Sequence, residues 1–424
     1  MGQKAKKGLK KFRHLVQTKG FIKAVQILGA KELYNATKKK QIEDWKANRP
    51  DISPGRIVFY SSVDYSDNAR VLSDYLVNHG YLKDHEIIWL VSDPEKFKKY
   101  ERPNLKFIRE KYKYAGRRTP ETFYAVLTAE KIFFTHSMRW VKDEDRRSGQ
   151  QFINLWHGCG YKSAKGKSEN IHFDAVLVPG EVFVDTKADF FQCDREKALP
   201  LGYPRYDLML ANSPKGKEYI DAFRKINGVS SKVVFWMPTY RMSDNMALSE
   251  QTLSSELNLP VIENTSDLSE LNEALKKSQV ILILKRHHLQ SSYSMKEELS
   301  NIKYMDDEDL ERADVQLYEA LPFVDALITD YSSVAIDFLL VDKPIAFTLD
   351  DYEKYKESRG FVFDDPLEYM PGMRVYNKKQ FFSFIETIGG GQDHWQKERA
   401  AVLQKTHNTP KTSYCERIAE YFHI

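Results

Sequence analysis

The stretch ALITDYSSVAIDFLLVDKPI, Ala326 to Ile345, decides the fold class. Ala326 to Thr329 reads as a short buried strand. Asp330, Ser332 and Ser333 then arrive where a helix cap belongs, ahead of the apolar run Val334 to Val341. Strand, tight polar turn and helix in that order form the repeating unit of an α/β sheet. A helix that starts at two serines directs free backbone N–H groups and the positive end of its dipole above the sheet. The turn therefore suits an anion, and it equally suits an ordinary capped helix.

Outward from this stretch the same pattern repeats. RIVFYSS (Arg56 to Ser62) is a strand, VDYSDN a polar turn and ARVLSDYLVNHG (Ala69 to Gly80) an amphipathic helix closed by glycine. EIIWLVSD, KIFFTHS and FINLWHG add strands, and AVLVPGE and LGYPRYD complete a first series near Leu210. VVFWMPTYR, VILILKRHH, ALITDYSS and PIAFTLDD make a second series of four, each ending in polar residues. The expectation is α/β, with two Rossmann-like domains in tandem at residues 51–210 and 211–390. A basic helical segment precedes them at 1–50, and C-terminal helices follow at 391–424. At 424 residues, two cores are also what chain length demands.

Composition narrows the setting. Cys159, Cys193 and Cys415 are odd in number and lack metal-ligand spacing, which favours a reducing compartment over a disulfide scaffold. No apolar run is long enough for a transmembrane helix, and no signal-peptide core is visible. The net charge of +4 conceals an asymmetry. Residues 1–50 hold fourteen Lys or Arg against Glu32, Glu43 and Asp44, a net of +11, which leaves −7 for the remainder. Within that segment Leu9, Phe12, Leu15 and Val16 recur at helical spacing among lysines, and Phe21, Ile22, Val25 and Leu28 continue after Gly20. A basic amphipathic helix fits an anionic membrane surface, and it fits equally a solvated helix packed on its own domain. No aromatic-interleaved basic groove points to nucleic acid.

Ligands of open α/β sheets bind beyond the carboxyl ends of the strands. Here those ends carry His157, Thr239 with Arg241, Lys285 with His287 and His288, and Asp330 with Ser332 and Ser333. Cationic and hydroxylic together, they can hold a pyrophosphate, while a histidine opposite could take a proton from an attacking alcohol.

Taken in order, YSDN (Tyr65 to Asn68), NLWHGCGYK, LGYPRYD, WMPTYR, LKRHH, VDALITDYSSVAIDF, KPI and DYEKYKESRGF make the chain resemble the CDP-glycerol:poly(glycerophosphate) glycerophosphotransferases of teichoic acid and capsule synthesis. The resemblance implies a GT-B fold whose two domains face a cleft, the N-terminal one for the acceptor and the C-terminal one for a CDP-alcohol. It also implies peripheral attachment to the cytoplasmic face of the bacterial membrane. By position, His157 matches the base, His287 a contact to the attacked phosphate, Ser332 and Ser333 the pyrophosphate serines, and Thr239 and Arg241 phosphate contacts. Asp351, Tyr355 and Arg359 match a donor-side set. The family usually follows His-Gly with Thr-Pro-Leu-Lys, whereas Cys159, Gly160 and Tyr161 precede Lys162 here, and His288 stands where proline is usual.

The expected reaction is in-line attack of an acceptor hydroxyl on the β-phosphate of a CDP-polyol, most simply CDP-glycerol, with CMP leaving. No cofactor is expected, and no carboxylate cluster has plain Mg²⁺ geometry, although Asp330 and Asp351 leave room for a metal. CDP-ribitol is the alternative donor. A sugar-nucleotide GT-B enzyme and a non-catalytic membrane scaffold are the alternatives of other classes.

Overall fold

A computed structural model of the protein describes residues 12–112, 116–142, 145–163, 172–225, 230–239, 257, 259–285, 299–410 and 412–424. Arg241, His287 and His288 lie outside the described residues.

The first series of strands is β1 (Arg56–Tyr60), β2 (Glu86–Val91), β3 (Leu105–Arg109), β4 (Lys131–Phe134), β5 (Gln151–Asn154), β6 (Ala175–Leu177) and β7 (Ala198–Leu199). The second is β8 (Lys232–Met237), β9 (Val280–Lys285), β10 (Ile302–Met305), β11 (Ala326–Thr329), β12 (Ile345–Thr348) and β13 (Met373–Val375). Their orders are β3-β2-β1-β4-β5-β6-β7 and β10-β9-β8-β11-β12-β13. Counted from β1 and from β8, each begins with the doubly wound order 3-2-1-4-5-6. The pairs β1–β2, β1–β4, β8–β9 and β8–β11 are parallel. Strands covered on both faces read as unbroken apolar runs, which is why VILIL in β9 and ALIT in β11 are buried at every residue. The order reverses between β1 and β4, and again between β8 and β11. Such switch points open a crevice at the strand ends, so β8 and β11 set the place for a ligand.

By contact the chain divides into two compact units. One takes the described residues through Trp156, with those of 171–176 and Phe422–Ile424; the other takes those of 157–170 and Leu177–Tyr421. In the first unit the stacked rings of Phe59 with Trp89 and of Phe59 with Phe133 fill the interior. Thr119 caps the helix Pro120–Thr128 by accepting from Thr122 N, with proline at the first position. Helix Lys39–Asn48 packs on that helix through Trp45 against Tyr124, and its Lys46 forms an ion pair with Asp145 further along the chain. Helix Phe21–Thr37 differs: Phe21 is 63% exposed, Ile22 75% and Val25 48%. The basic N-terminal segment thus combines a docked helix with one that leaves apolar side chains in water.

In the second unit, Val234, Trp236, Leu282, Ile328 and Ala346 of the sheet pack with Leu268, Leu271 and Leu275 of helix Thr265–Lys277 and with Phe381, Phe384 and Ile385 of helix Lys378–Gly389. Asn264 and Asn377 cap these helices through Asp267 N and Gln380 N. The apolar run Val334 to Val341 forms a shorter α-helix than its length suggests. Val334–Phe338 is α-helical, Leu339–Val341 is a 3₁₀ turn, and Asp342 stops it in the left-handed region at φ 50°.

Candidate active site

The turn Asp330–Ser333 joins β11 to the helix Val334–Phe338, at the switch point of the second sheet, and its residues reach in separate directions. Asp330 is fully buried. Its carboxylate accepts from Thr239 N at 3.0 and 2.9 Å and from the Thr239 hydroxyl, which ties the end of β8 to the end of β11. Two residues expected at the ligand thus bond to each other, with the Asp330 carboxylate in the interior.

Tyr331 is also fully buried. Its hydroxyl donates to Asp351 Oδ1 at 2.9 Å, and its ring stacks on Tyr355 with centroids 4.1 Å apart. Asp351 starts and Arg359 ends the helix Tyr352–Ser358, and Phe361 stacks on Tyr355 beyond it. The expected donor-side set of Asp351, Tyr355 and Arg359 is thereby one cluster, attached to the serine turn through a tyrosine the sequence reading left without a role.

Ser332 and Ser333 are half-buried. Ser333 stands in helical conformation and makes no side-chain cap, while its carbonyl accepts from Ile336 N and Asp337 N. The chain after β5 lies directly on it. A Cβ placed on Gly158 would come 2.5 Å from Ser333 Oγ, and one on Gly160 would come 2.9 Å from both Ser333 Cα and N. Gly158 has φ +134°, so only glycine serves here on both counts. The structure therefore brings exposed His157 beside the serine turn, as the strand-end argument expected.

The same loop is held at its other end. Lys162 bridges Phe361 in antiparallel fashion, Ser163 N donates to Gly360 O at 3.1 Å, and Val362 N to Tyr161 O at 2.9 Å. The buried Tyr161 hydroxyl donates to Tyr369 O at 2.8 Å. Burial raises the Tyr161 hydroxyl, and also the Cys159 thiol, so both stay protonated. Of the departures, Cys159 and Tyr161 are thus buried and Gly160 packs against Ser333. In the first unit, Asn68 of YSDN donates to Trp156 O at 2.8 Å, and Trp156 adopts φ 52°, an uncommon conformation for a large side chain.

Lys285 takes a different course. At the end of β9 its ammonium pairs with Asp307 Oδ1 at 2.7 Å. Among the described residues no group of three His, Cys, Asp or Glu could hold a metal ion.

Four groups around His157 escaped the sequence reading. Arg205, in LGYPRYD, donates from Nη1 to His157 O at 3.1 Å and from Nη2 to Asp337 Oδ2 at 2.7 Å. Tyr206 and Tyr318 donate to the same carboxylate at 2.5 and 2.6 Å. Burial, then the Asp337 charge, keeps the Tyr206 hydroxyl protonated. A signal existed: Asp337 is the one charge inside the apolar run VAIDFLLV, and buried carboxylates need partners.

Comparison with known proteins gives the family and the fold. The family model of CDP-glycerol:poly(glycerophosphate) glycerophosphotransferases matches residues 44–423. A teichoic acid glycerol-phosphate transferase of Staphylococcus aureus is 27% identical over 80% of this chain and 85% of its own. A teichoic acid ribitol-phosphate primase of Bacillus spizizenii is 27% identical over 63% of this chain and 68% of its own. The solved structure of the wall teichoic acid polymerase TagF superposes with TM-score 0.69 over 95% of this chain and 97% of that one, at 22% identity. Two parallel doubly wound sheets, a histidine loop seated on a serine turn and a family match over most of the length agree: the chain belongs to the CDP-glycerol:poly(glycerophosphate) glycerophosphotransferase family, as a GT-B polyol-phosphate transferase.

Proposed function

We propose that the protein transfers glycerol phosphate from CDP-glycerol to a hydroxyl of a lipid-linked teichoic acid or capsule acceptor, with His157 as the base. The observation that carries this reading is the contact of the Gly158–Gly160 backbone with Ser333, which sets a titratable side chain beside a hydroxyl-bearing turn at a sheet switch point. The acceptor oxygen attacks the β-phosphorus in line. The new O–P bond forms as the bond to the bridging oxygen breaks, CMP leaves, and the acceptor proton passes to His157. Ser332 and Ser333 hold the pyrophosphate, and Asp351, Tyr355 and Arg359 frame the donor. Arg241 and His287, matched to phosphate contacts by motif, neutralise the transferring group. Losing one such contact costs ~2.7–4 kcal/mol in the barrier.

CMP release is to be followed from CDP-glycerol and CDP-ribitol, each with a lipid-linked disaccharide bearing one glycerol phosphate. Wild type releases CMP from CDP-glycerol, and His157→Ala loses about 10²–10⁴-fold in turnover. Near-normal turnover in the variant refutes the base. Faster release from CDP-ribitol moves the reading to the ribitol donor that the ribitol-phosphate primase relative keeps in view.

The acceptor is reached at the cytoplasmic face of the membrane. Among the described residues no helix is long and apolar enough to cross a bilayer, while Phe21, Ile22 and Val25 are exposed among the basic residues of the N-terminal segment. Sedimentation with vesicles containing anionic lipid detects the full chain, and Phe21→Glu with Ile22→Glu abolishes it. Unchanged binding by that double variant overturns the membrane assignment.

A further inference from the structure

We infer that Arg205 and Asp337 are positioning residues of the transfer reaction: their buried ion pair clamps the His157 backbone to the helix that begins at the serine turn. This rests on the reading of His157 as the base.

The clamp is built from four hydrogen bonds and one ring contact, with Tyr206 a further donor to Asp337. Arg205 Nη1 donates to His157 O at 3.1 Å, and Nη2 to Asp337 Oδ2 at 2.7 Å. Asp337 N donates in turn to Ser333 O at 3.2 Å, so one guanidinium connects the histidine loop to the serine that loop rests upon. Tyr318 donates to the carboxylate and lies under the guanidinium, its ring centroid 4.3 Å from Arg205 Cζ. Arg205 is 4% exposed and Asp337 not at all. A Cβ on Gly158 would come 3.1 Å from Arg205 Nη2, so the absence of a side chain there is what admits the fork.

Burial of such a pair gives little net stability, because desolvation offsets the attraction. A planar fork with fixed donor angles gives direction, which a lysine point charge does not. A base displaced by ~1 Å loses about 100-fold in rate, so direction is what a proton-transfer site needs. Asp337 is fully buried and acts through Arg205 and Ser333.

The test compares Arg205→Lys, Asp337→Asn, Tyr318→Phe and His157→Ala with Arg399→Lys in the full chain. Arg399 is an equally buried arginine of the same unit, 1% exposed, whose guanidinium pairs with Asp342 and Asp393. For each variant kcat and KM with CDP-glycerol, CDP affinity and Tm are measured. Arg205→Lys and Asp337→Asn lose about 100-fold in kcat while KM and CDP affinity stay within about three-fold. Tyr318→Phe, which removes one hydrogen bond and keeps the ring, loses roughly 5-fold. Arg399→Lys lowers Tm and leaves kcat within about two-fold.

Unchanged kcat in Arg205→Lys alongside a dead His157→Ala overturns the clamp and leaves the base standing. Loss of kcat in step with Tm across all variants, Arg399→Lys included, assigns the pair to stability alone and also overturns it. Turnover retained by His157→Ala removes both. Should Arg205→Lys and Asp337→Asn fail to fold, Tyr318→Phe decides, since an unaltered kcat there contradicts the clamp.

Discussion

Two buried arginines grip the same stretch of chain, and only one of them reaches the site. Arg205 takes hold of Asp337, in the helix behind the serine turn, while Arg399 takes hold of Asp342, where that stretch ends. Arg399 bonds Asp342 Oδ1 at 3.1 and 3.0 Å and Asp393 at 2.9 and 2.6 Å, so its donors join two loop carboxylates and pin the helix Gln396–Thr406. Arg205 divides its donors between a carboxylate and the carbonyl of His157. Equal burial and equal chemistry thus do not give equal roles. What separates them is the second partner: a carboxylate in one case, the backbone of the His157 loop in the other.

Three changes put that difference under strain. The largest effect is expected from Gly158→Ala, whose methyl would press on Ser333 Oγ and crowd Arg205 Nη2 at once. Loop and turn must separate, and kcat should fall about 100-fold or more with CDP affinity changed far less. Normal turnover in this variant, measured by CMP release, would mean that the contact between loop and turn is not needed for chemistry.

Next in size is Arg399→Met. Removing one partner of a buried pair typically costs ~3–5 kcal/mol. Asp342 and Asp393 remain 47% and 29% exposed and can hydrate, which reduces the loss to about 2 kcal/mol. Urea unfolding checks this, and kcat below the midpoint should be unaltered. A fall in kcat at full folding would make the two arginines alike.

The smallest effect concerns His407, which ends the Arg399 helix and lies 5.4 Å from the Tyr206 ring. It is the point at which the two regions meet. Burial pushes its imidazole down from 6.5 to about 3, and Nε2 has no hydrogen-bond partner among the described residues. The folded state holds it neutral while the unfolded chain protonates it below about 6.5, so unfolded molecules bind more protons and stability falls as pH drops from about 6.5 towards about 3. Between pH 6.5 and 5 the loss from this group is roughly 1.5 kcal/mol. His407→Gln should flatten that part of the urea-midpoint profile. Asp393, whose carboxyl is held low by its hydrogen bonds to Arg399, loses stability in the same direction and continues to do so in the variant. A wild-type profile flat over this range contradicts the buried neutral imidazole.

Much of the candidate site is legible in the sequence. Motif order marked His157 and Ser333, and the strand-end rule placed both near a ligand crevice. The donor-side set of Asp351, Tyr355 and Arg359 was named without the tyrosine that joins it to the turn. Arg205 sat inside a quoted motif and went unassigned, because nothing local distinguishes an arginine that faces solvent from one that faces a carboxylate. Asp337 carried the better signal, one charge amid apolar neighbours, yet a lone charge does not name its partner.

The sequence by itself determined most of the strands, their parallel pairing and the family. The short strands β3, β10 and β13 did not stand out as apolar runs, and the last two make the second series six strands where four were expected. Apolar runs of a few residues broken by polar turns can be buried only between layers of helices, and the order of the motifs is a property of the chain. The tertiary structure decided which polar groups are already engaged by one another. Asp330 holds Thr239 across 91 residues, Lys285 holds Asp307 across 22, and Arg205 holds Asp337 across 132. Burial makes a hydrogen bond compulsory without saying who supplies it, and only the folded chain brings the supplier within 3 Å.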